Sequence, residues 1–135
     1  MGIVMNKIKA IITDIQSVNN INIVSFDASG YQVKMMALEL QESFCIGSEV
    51  LISAKATNIA ITREKIDMLS ISNQLVVKIE GIKLGELLCS IHFNFAGEVW
   101  ESILTRDAAS KMQLKVGEMM VVLIKSSEVF IVKGY

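Results

Sequence analysis

The sequence predicts an all-β protein built from two copies of one unit. Short segments rich in Val and Ile follow one another, bounded by Gly, Asn, Ser or Asp, which is typical of strands joined by tight turns. Hydrophobic residues make up 52% of the chain and proline is absent. The stretch "EVLISAKATNIAI", residues 49–61, also has a counterpart in "MMVVLIKSSEVFI", residues 119–131, with a lysine at the same place in each.

The predicted strands cover both halves of the chain. They are "IKAIITDI", "NINIVSF", "YQVKMMALEL", "SEVLISA" and "NIAITRE", then "LVVKIEGI", "ELLCSIHFNF", "EVWESILTRD", "EMMVVLIK" and "EVFIVKGY". One helix is predicted over residues 106–114, "RDAASKMQL", because Leu104, Ala108 and Met112 recur at helical spacing. Asp107 lies near its start, where an acidic residue is favoured.

The two halves share landmarks in the same order. Asn6 and Gly30 match Asn73 and Gly97 at an offset of 67, and Gly47, Lys55 and Ile61 match Gly117, Lys125 and Ile131 at an offset of 70. The three additional residues of the second half fall between Asp107 and Gly117, where the helix is predicted. We therefore predict two modules, residues 1–66 and 67–135, joined near residues 65–70.

A module of this size buries too little surface to be stable alone. Two modules gain stability by packing on each other, and their open sheet edges gain by pairing with another copy. We therefore expect a tight double module and a homo-oligomer.

Composition limits the partners. The formal net charge is −1 and the sequence has no Lys/Arg run, so direct nucleic-acid binding and a helix-turn-helix are not expected. The longest apolar stretches are too short to cross a bilayer. The first residues lack the apolar core of a signal peptide, so we expect a cytoplasmic protein without a membrane partner.

No catalytic arrangement is predicted. Ser/His/Asp and Cys/His patterns are absent, and the acidic residues are scattered over turns and strand faces. His92 is the sole histidine and is expected to face solvent, while Cys45 and Cys89 are not spaced as a metal pair and are expected to be buried free thiols. The protein is not expected to be an enzyme, and no residue is predicted as a direct ligand of a metal cation.

The repeat resembles the Mop, or TOBE, module of molybdenum-pterin-binding proteins and molybdate-responsive regulators. In the second copy the resemblance is carried by "SISNQLVVKIEGI", "SILTRDAASKMQLKVGE" and "MMVVLIKSSEVFIV", and in the first copy by "MNKIKAIITDI" and "IGSEVLISAKATNIAI". The resemblance implies two tandem five-stranded OB-like barrels that swap or share strands and assemble as dimers or trimers. It also implies molybdate or tungstate bound at interfaces between copies, for storage, homeostasis or sensing.

Such an oxyanion accepts hydrogen bonds and donates none, so its site needs convergent amide, hydroxyl and cationic donors. The resemblance together with this chemistry gives the candidate oxyanion ligands Thr105, Lys125, Ser126, Lys55, Ser70, Ser72 and Asn73. A semi-buried lysine in a β segment is costly unless it meets a negative charge. The alternative for the two lysines is an ordinary edge-strand position, with the stem lying over apolar surface.

The sequence departs from the family pattern at several positions. Leu38 stands where the first copy should have a threonine, Ala108 replaces a serine, and Ser72 and Met5 stand in place of arginine. Each lost charge-assisted donor removes about 1.5–3 kcal/mol. We therefore expect the second copy to supply most ligands, with sites completed between copies.

Two other functions remain open. The first is a ligand-free structural or dimerisation TOBE domain of a molybdate-responsive regulator, which the departures at Leu38, Ala108 and Ser72 favour. The second is an OB-type barrel for an oligonucleotide or oligosaccharide, which would need exposed aromatic residues and a basic groove. Aromatic residues are only 6% and the net charge is negative, so this function ranks last.

Overall fold

A computed structural model describes residues 5–135, so residues 1–4 of the predicted first module lie outside the described residues. The elements in chain order are β1 Met5–Val18, β2 Ile21–Ala28, β3 Tyr31–Ala37, β4 Glu49–Lys55, β5 Ala60–Thr62, β6 Asn73–Leu84, β7 Leu88–Phe95, β8 Glu98–Thr105, α1 Arg106–Met112, β9 Met119–Ile124 and β10 Phe130–Gly134. The mainly β class and the short helix near residue 106 are confirmed.

The strands form two five-stranded antiparallel sheets that exchange one strand. The first sheet has the order β10-β4-β1-β2-β3 and the second the order β5-β9-β6-β7-β8. β5 belongs to the first half of the sequence but pairs with β9, and β10 belongs to the second half but pairs with β4. Each half of the chain therefore lends its last strand to the other sheet, as the resemblance implied, and the two curled sheets agree with the predicted pair of OB-like barrels.

Equivalent turns in the two modules explain why the repeat keeps its glycines. The β2–β3 hairpin turns at Ser29 and Gly30 and the β7–β8 hairpin at Ala96 and Gly97, all four with positive φ. Two-residue hairpin turns with positive φ at both positions match the twist of the strands, and glycine takes this conformation without strain.

The main hydrophobic core is continuous between the two modules. Tyr31 of β3 packs edge-on against Phe95 of β7, and Phe95 packs edge-on against Trp100 of β8, with ring centroids 5.0 and 4.8 Å apart. The Tyr31 hydroxyl donates to the Val76 carbonyl at 2.8 Å, and the Trp100 ring nitrogen donates to the Lys7 carbonyl at 3.2 Å. The modules are thus joined by buried aromatic packing and hydrogen bonds as well as by exchanged strands.

Two expectations about single residues are wrong. Cys89 is buried as expected, but Cys45 is exposed because it lies in the turns that connect β3 to β4. His92 is half-buried rather than solvent-facing, since it lies beside Gly81 of the neighbouring strand. Within residues 5–135, no helix has the length and apolar character that crossing a membrane requires.

Candidate functional site

The two repeated lysines lie at the ends of interior strands. Lys55 is the last residue of β4, and Lys125 directly follows β9. Each lysine precedes a 3-10 helix, Ala56–Asn58 or Ser126–Glu128, and each side chain is exposed. The expectation of semi-buried lysines is therefore wrong, and so is the edge-strand alternative, because β5 and β10 cover the outer sides of β9 and β4.

Ser72 lies at the same end of the second sheet as Lys125. Asn73 pairs with Ile124 in the antiparallel β6–β9 ladder, so the residues just outside this pair are Ser72 and Lys125. Ser126 follows directly and is half-buried. Ser72 also lines a cavity of about 330 Å³ together with Lys65 and Asp67.

The serines and the lysine at this end keep their donors available. Ser70 and Ser72 are exposed in the connection from β5 to β6, which Gln74 holds through hydrogen bonds to Ile66 and Ile71. Among the hydrogen bonds and ion pairs of residues 5–135, none uses the side chain of Ser70, Ser72, Lys125 or Ser126. We call Ser72, Lys125 and Ser126, which the Asn73–Ile124 pair brings to one end of the sheet, the Lys125 cluster.

Asn73 has a structural role. Its side chain is 2% exposed, its Oδ1 accepts a hydrogen bond from the Lys34 backbone N–H, and its Nδ2 donates to the Lys34 carbonyl, both at 2.8 Å. The amide therefore clamps β6 of the second sheet to β3 of the first. It is not a free ligand, although it fixes the position of the neighbouring Ser72.

Lys34 is a candidate that the sequence analysis missed. The Asn73 clamp brings its backbone to the start of β6, and its side chain is exposed. The equivalent position in the second module, 67 residues later, holds Glu101, whose backbone is bound to Asn6 near the Lys55 end. No signal in the sequence indicates that β3 crosses β6, so only the tertiary structure reveals this second lysine.

The two lysine ends are therefore electrostatically unequal. The Asn73 clamp holds the backbone of Lys34 at the start of β6, whereas Asn6 holds the backbone of an acid, Glu101, at the equivalent place in the other module. Glu128, in the turn after Lys125, accepts a hydrogen bond from Asn58 Nδ2 at 2.7 Å. Because Glu128 stands where the turn after Lys55 has Asn58, the charge differences between the two ends act in opposite directions on an anion.

Thr105 lies elsewhere in the same module. Its Oγ1 accepts a hydrogen bond from the Ala108 N–H at 3.2 Å and so caps α1, while Asp107 in the first turn offsets the positive helix end. Arg63, which follows β5, holds the other end of α1 through the Met112 carbonyl. Thr105 pairs with Leu88 beside the end of β6, whereas Lys125 follows Ile124, which pairs with Asn73 at the start of β6. Thr105 and Lys125 therefore do not meet within one chain.

Two groups near α1 have shifted pKa values. A hydrogen bond from the Arg63 side chain, assisted by the Lys115 N–H, lowers the pKa of Glu118. Burial raises the pKa of the Cys89 thiol, against the opposing effect of the Arg106 charge. Neither group belongs to the Lys125 cluster.

Comparisons with known proteins agree with this fold. The model of the TOBE domain family matches residues 69–131, which run from the connection before β6 into β10. A crystal structure of the cytoplasmic molybdate-binding protein ModG, with molybdate bound, has the same fold at a TM-score of 0.86 and 22% identity. The match covers 93% of this chain and 94% of that one. No curated protein matches the sequence significantly.

Proposed function

Because residues 69–131 belong to the TOBE family, we propose that the protein binds molybdate or tungstate in the cytoplasm, for storage, homeostasis or sensing. It acts by binding the oxyanion and not by catalysis. The observation that carries the proposal is the Lys125 cluster, where a lysine and two serines have no competing partners among the described side chains.

The chemistry of the cluster suits a tetrahedral dianion. Lys125 supplies a cation, and Ser126 and Ser72 supply hydroxyl donors. In our proposal the exposed side chain of Lys34, whose backbone the Asn73 clamp holds at the start of β6, adds a second positive charge. Hydrogen bonds from charged donors to an oxyanion are roughly twice as strong as neutral ones. Because these side chains are mostly exposed, the site gains from a second protein surface that excludes water.

A homo-oligomer, a dimer or trimer, supplies that surface in our proposal. Thr105 cannot join the Lys125 cluster of its own chain, but a neighbouring copy can present its Thr105, and in our proposal its Lys55, to that cluster. The Thr105 hydroxyl hydrogen remains available, because the cap to Ala108 uses only a lone pair of the oxygen. A site of this kind takes residues from two copies, so oxyanion binding and assembly of the oligomer depend on each other.

The second candidate function is a ligand-free dimerisation domain of a regulator. The observation in its favour is Leu38, which occupies the position equivalent to Thr105 and is 74% exposed. An exposed leucine donates no hydrogen bond to an anion but suits a protein contact. This function predicts a folded oligomer that does not respond to oxyanions.

A thermal-melt titration tests the proposal. Molybdate and tungstate are added to the full chain, with sulfate and phosphate as controls of similar shape. A ligand at 100 times its dissociation constant adds about 2.7 kcal/mol, which raises the melting temperature by several degrees in a domain of this size. A shift with molybdate and tungstate alone supports the proposal; no shift with any anion overturns it in favour of the dimerisation domain.

A further inference from the structure

The second module also has a groove that contains an acidic residue and lies away from the basic Lys125 cluster. The β6–β7 turn and the outward faces of β7 and β8 bound a groove of about 560 Å³. Its wall is largely apolar and includes Leu84, Leu87, Leu88 and Ile103. Leu84, Leu87 and Leu88 are 60%, 81% and 43% exposed and lie together at this groove, and contiguous exposed apolar side chains are typical of a contact or ligand surface.

A buried carboxylate faces this groove. Glu101 lines it and yet is only 6% exposed. The Ser90 hydroxyl donates a hydrogen bond to Glu101 Oε1, and no other donor among residues 5–135 reaches the carboxylate. The two ion pairs of the described chain, Lys9–Glu49 and Arg63–Glu118, do not involve Glu101.

The neighbouring basic groups leave Glu101 unpaired. His92 lies directly across the β7–β8 ladder from it, and Lys83 lines the same groove, but neither forms an ion pair or hydrogen bond with the carboxylate. Glu101 Oε2 has no hydrogen-bond partner among the described residues, and it is not fully enclosed, so it is open to the groove. A cation in the groove can therefore reach this oxygen and form a charge-assisted hydrogen bond with it.

We propose that this groove binds a small molecule that carries a protonated amine on an apolar body. The ammonium group binds Glu101 Oε2, and the apolar body lies against Leu84, Leu88 and Ile103. A molecule with both features fits a site that is apolar except for a few convergent polar groups. The ligand is a cation, so this site is chemically independent of the proposed oxyanion site.

The first module provides an internal comparison. The positions equivalent to Ser90 and Glu101, 67 residues earlier, hold Ile23 and Lys34. The cavity beside the equivalent β1–β2 turn is lined by polar groups such as Asn19, Asn20 and Asn22. A buried acid at the outward face of β8 is therefore a feature of the second module, and an amine should discriminate between the two grooves.

The test is an NMR titration of the full-length ¹⁵N-labelled protein at pH 7.5. The probe is n-hexylammonium, and the matched controls are n-hexanol, which keeps the apolar chain without the charge, and hexanoate, which reverses it. We expect amide shifts at Ser90, Glu101 and Ile103, and an affinity for hexylammonium about tenfold or more above that for hexanol, a preference of one charge-assisted contact. Equal affinities, no saturable shifts, or shifts in the first module would overturn the proposal.

Variants assign the preference to one carboxylate. Glu101→Gln should abolish the preference for hexylammonium over hexanol, whereas Glu98→Gln, at an exposed acid of the same strand, should leave it unchanged. If Glu101→Gln fails to fold, the comparison of the three probes on the unaltered chain still decides. The groove could instead hold a lysine side chain of a second copy, and sedimentation under the same conditions tests for this occupant. If hexylammonium dissociates an oligomer, the groove holds that lysine and the small-molecule proposal is wrong.

Discussion

Asn6 and Asn73 are equivalent side chains that hold the two modules together from opposite sides. Asn6 donates to the Glu101 carbonyl at 2.9 Å and accepts from the Glu101 N–H at 2.8 Å. Asn73 makes the same pair of bonds with Lys34, which is equivalent to Glu101 at the offset of 67. The interface therefore has an approximate two-fold symmetry, and each asparagine clamps the third strand of the other sheet.

We expect Asn73→Ala to lower the free energy of unfolding by about 1–3 kcal/mol, because both hydrogen bonds are lost and the Lys34 backbone groups lose their partners. The measurement is urea denaturation of the unliganded protein. Ser72→Ala, at the exposed neighbouring position, is the control and should change stability by less than about 0.5 kcal/mol. If the two variants behaved alike, the clamp would not contribute to stability.

Lys125→Ala should weaken molybdate binding by about ten- to a hundredfold, since a charge-assisted hydrogen bond contributes about 1.5–3 kcal/mol. Lys55→Ala is the matched variant from the other repeat and should have a smaller effect, because Leu38 and Met5 leave the first copy without two of the donors expected of an oxyanion site. Calorimetric titration of both variants measures the two losses. An unchanged affinity for Lys125→Ala would remove this lysine from the site.

The two thiols should react at very different rates. Cys45 is exposed, whereas Cys89 is buried and its burial raises the pKa of the thiol, so little reactive thiolate is present. In the folded protein a colorimetric disulfide reagent should modify one thiol quickly, and the second only when denaturant is added. Fast modification of both thiols in the wild-type protein, and of Cys89 in Cys45→Ser protein, would mean that the region around α1 opens readily.

The ion pair between Arg63 and Glu118 should make stability depend on pH in the acid range. The lowered pKa of Glu118 means that the carboxylate stabilises the folded state above its ordinary pKa of 4.5, and that this stabilisation disappears as the pH falls through the lower folded-state pKa. The stability difference between wild-type and Glu118→Gln protein should therefore be constant near neutral pH and vanish in acid. Denaturation curves between pH 3 and 7 measure it.

Glu64→Gln is the control for that series. Glu64 is an exposed acid next to Arg63 and accepts no hydrogen bond from the described side chains. It should show no comparable loss of the stability difference. A pH-independent effect of Glu118→Gln would assign the contribution of this residue to packing and not to its charge.

The sequence by itself determined the strands, the helix and the duplication. The alternation of apolar residues indicates which face of a strand is buried, and the glycines at 30 and 97 indicate turns that need positive φ. Buried faces and turns are therefore local properties of the sequence. The three additional residues of the second half lie where α1 is found, and an insertion is likewise a local feature of the sequence, so it predicted the position of the helix. The matching order of landmarks then indicated two copies of one module.

Only the tertiary structure decided how the copies combine and which candidates lie together. The exchange of β5 and β10, the Asn73 clamp on Lys34 and the separation of Thr105 from Lys125 all depend on contacts between residues distant in the chain. The alternation of apolar and polar residues along a strand does not indicate which strand of the other sheet lies across it. Strand order and the packing of the two sheets therefore determine whether an exposed lysine stands alone or joins a cluster of donors.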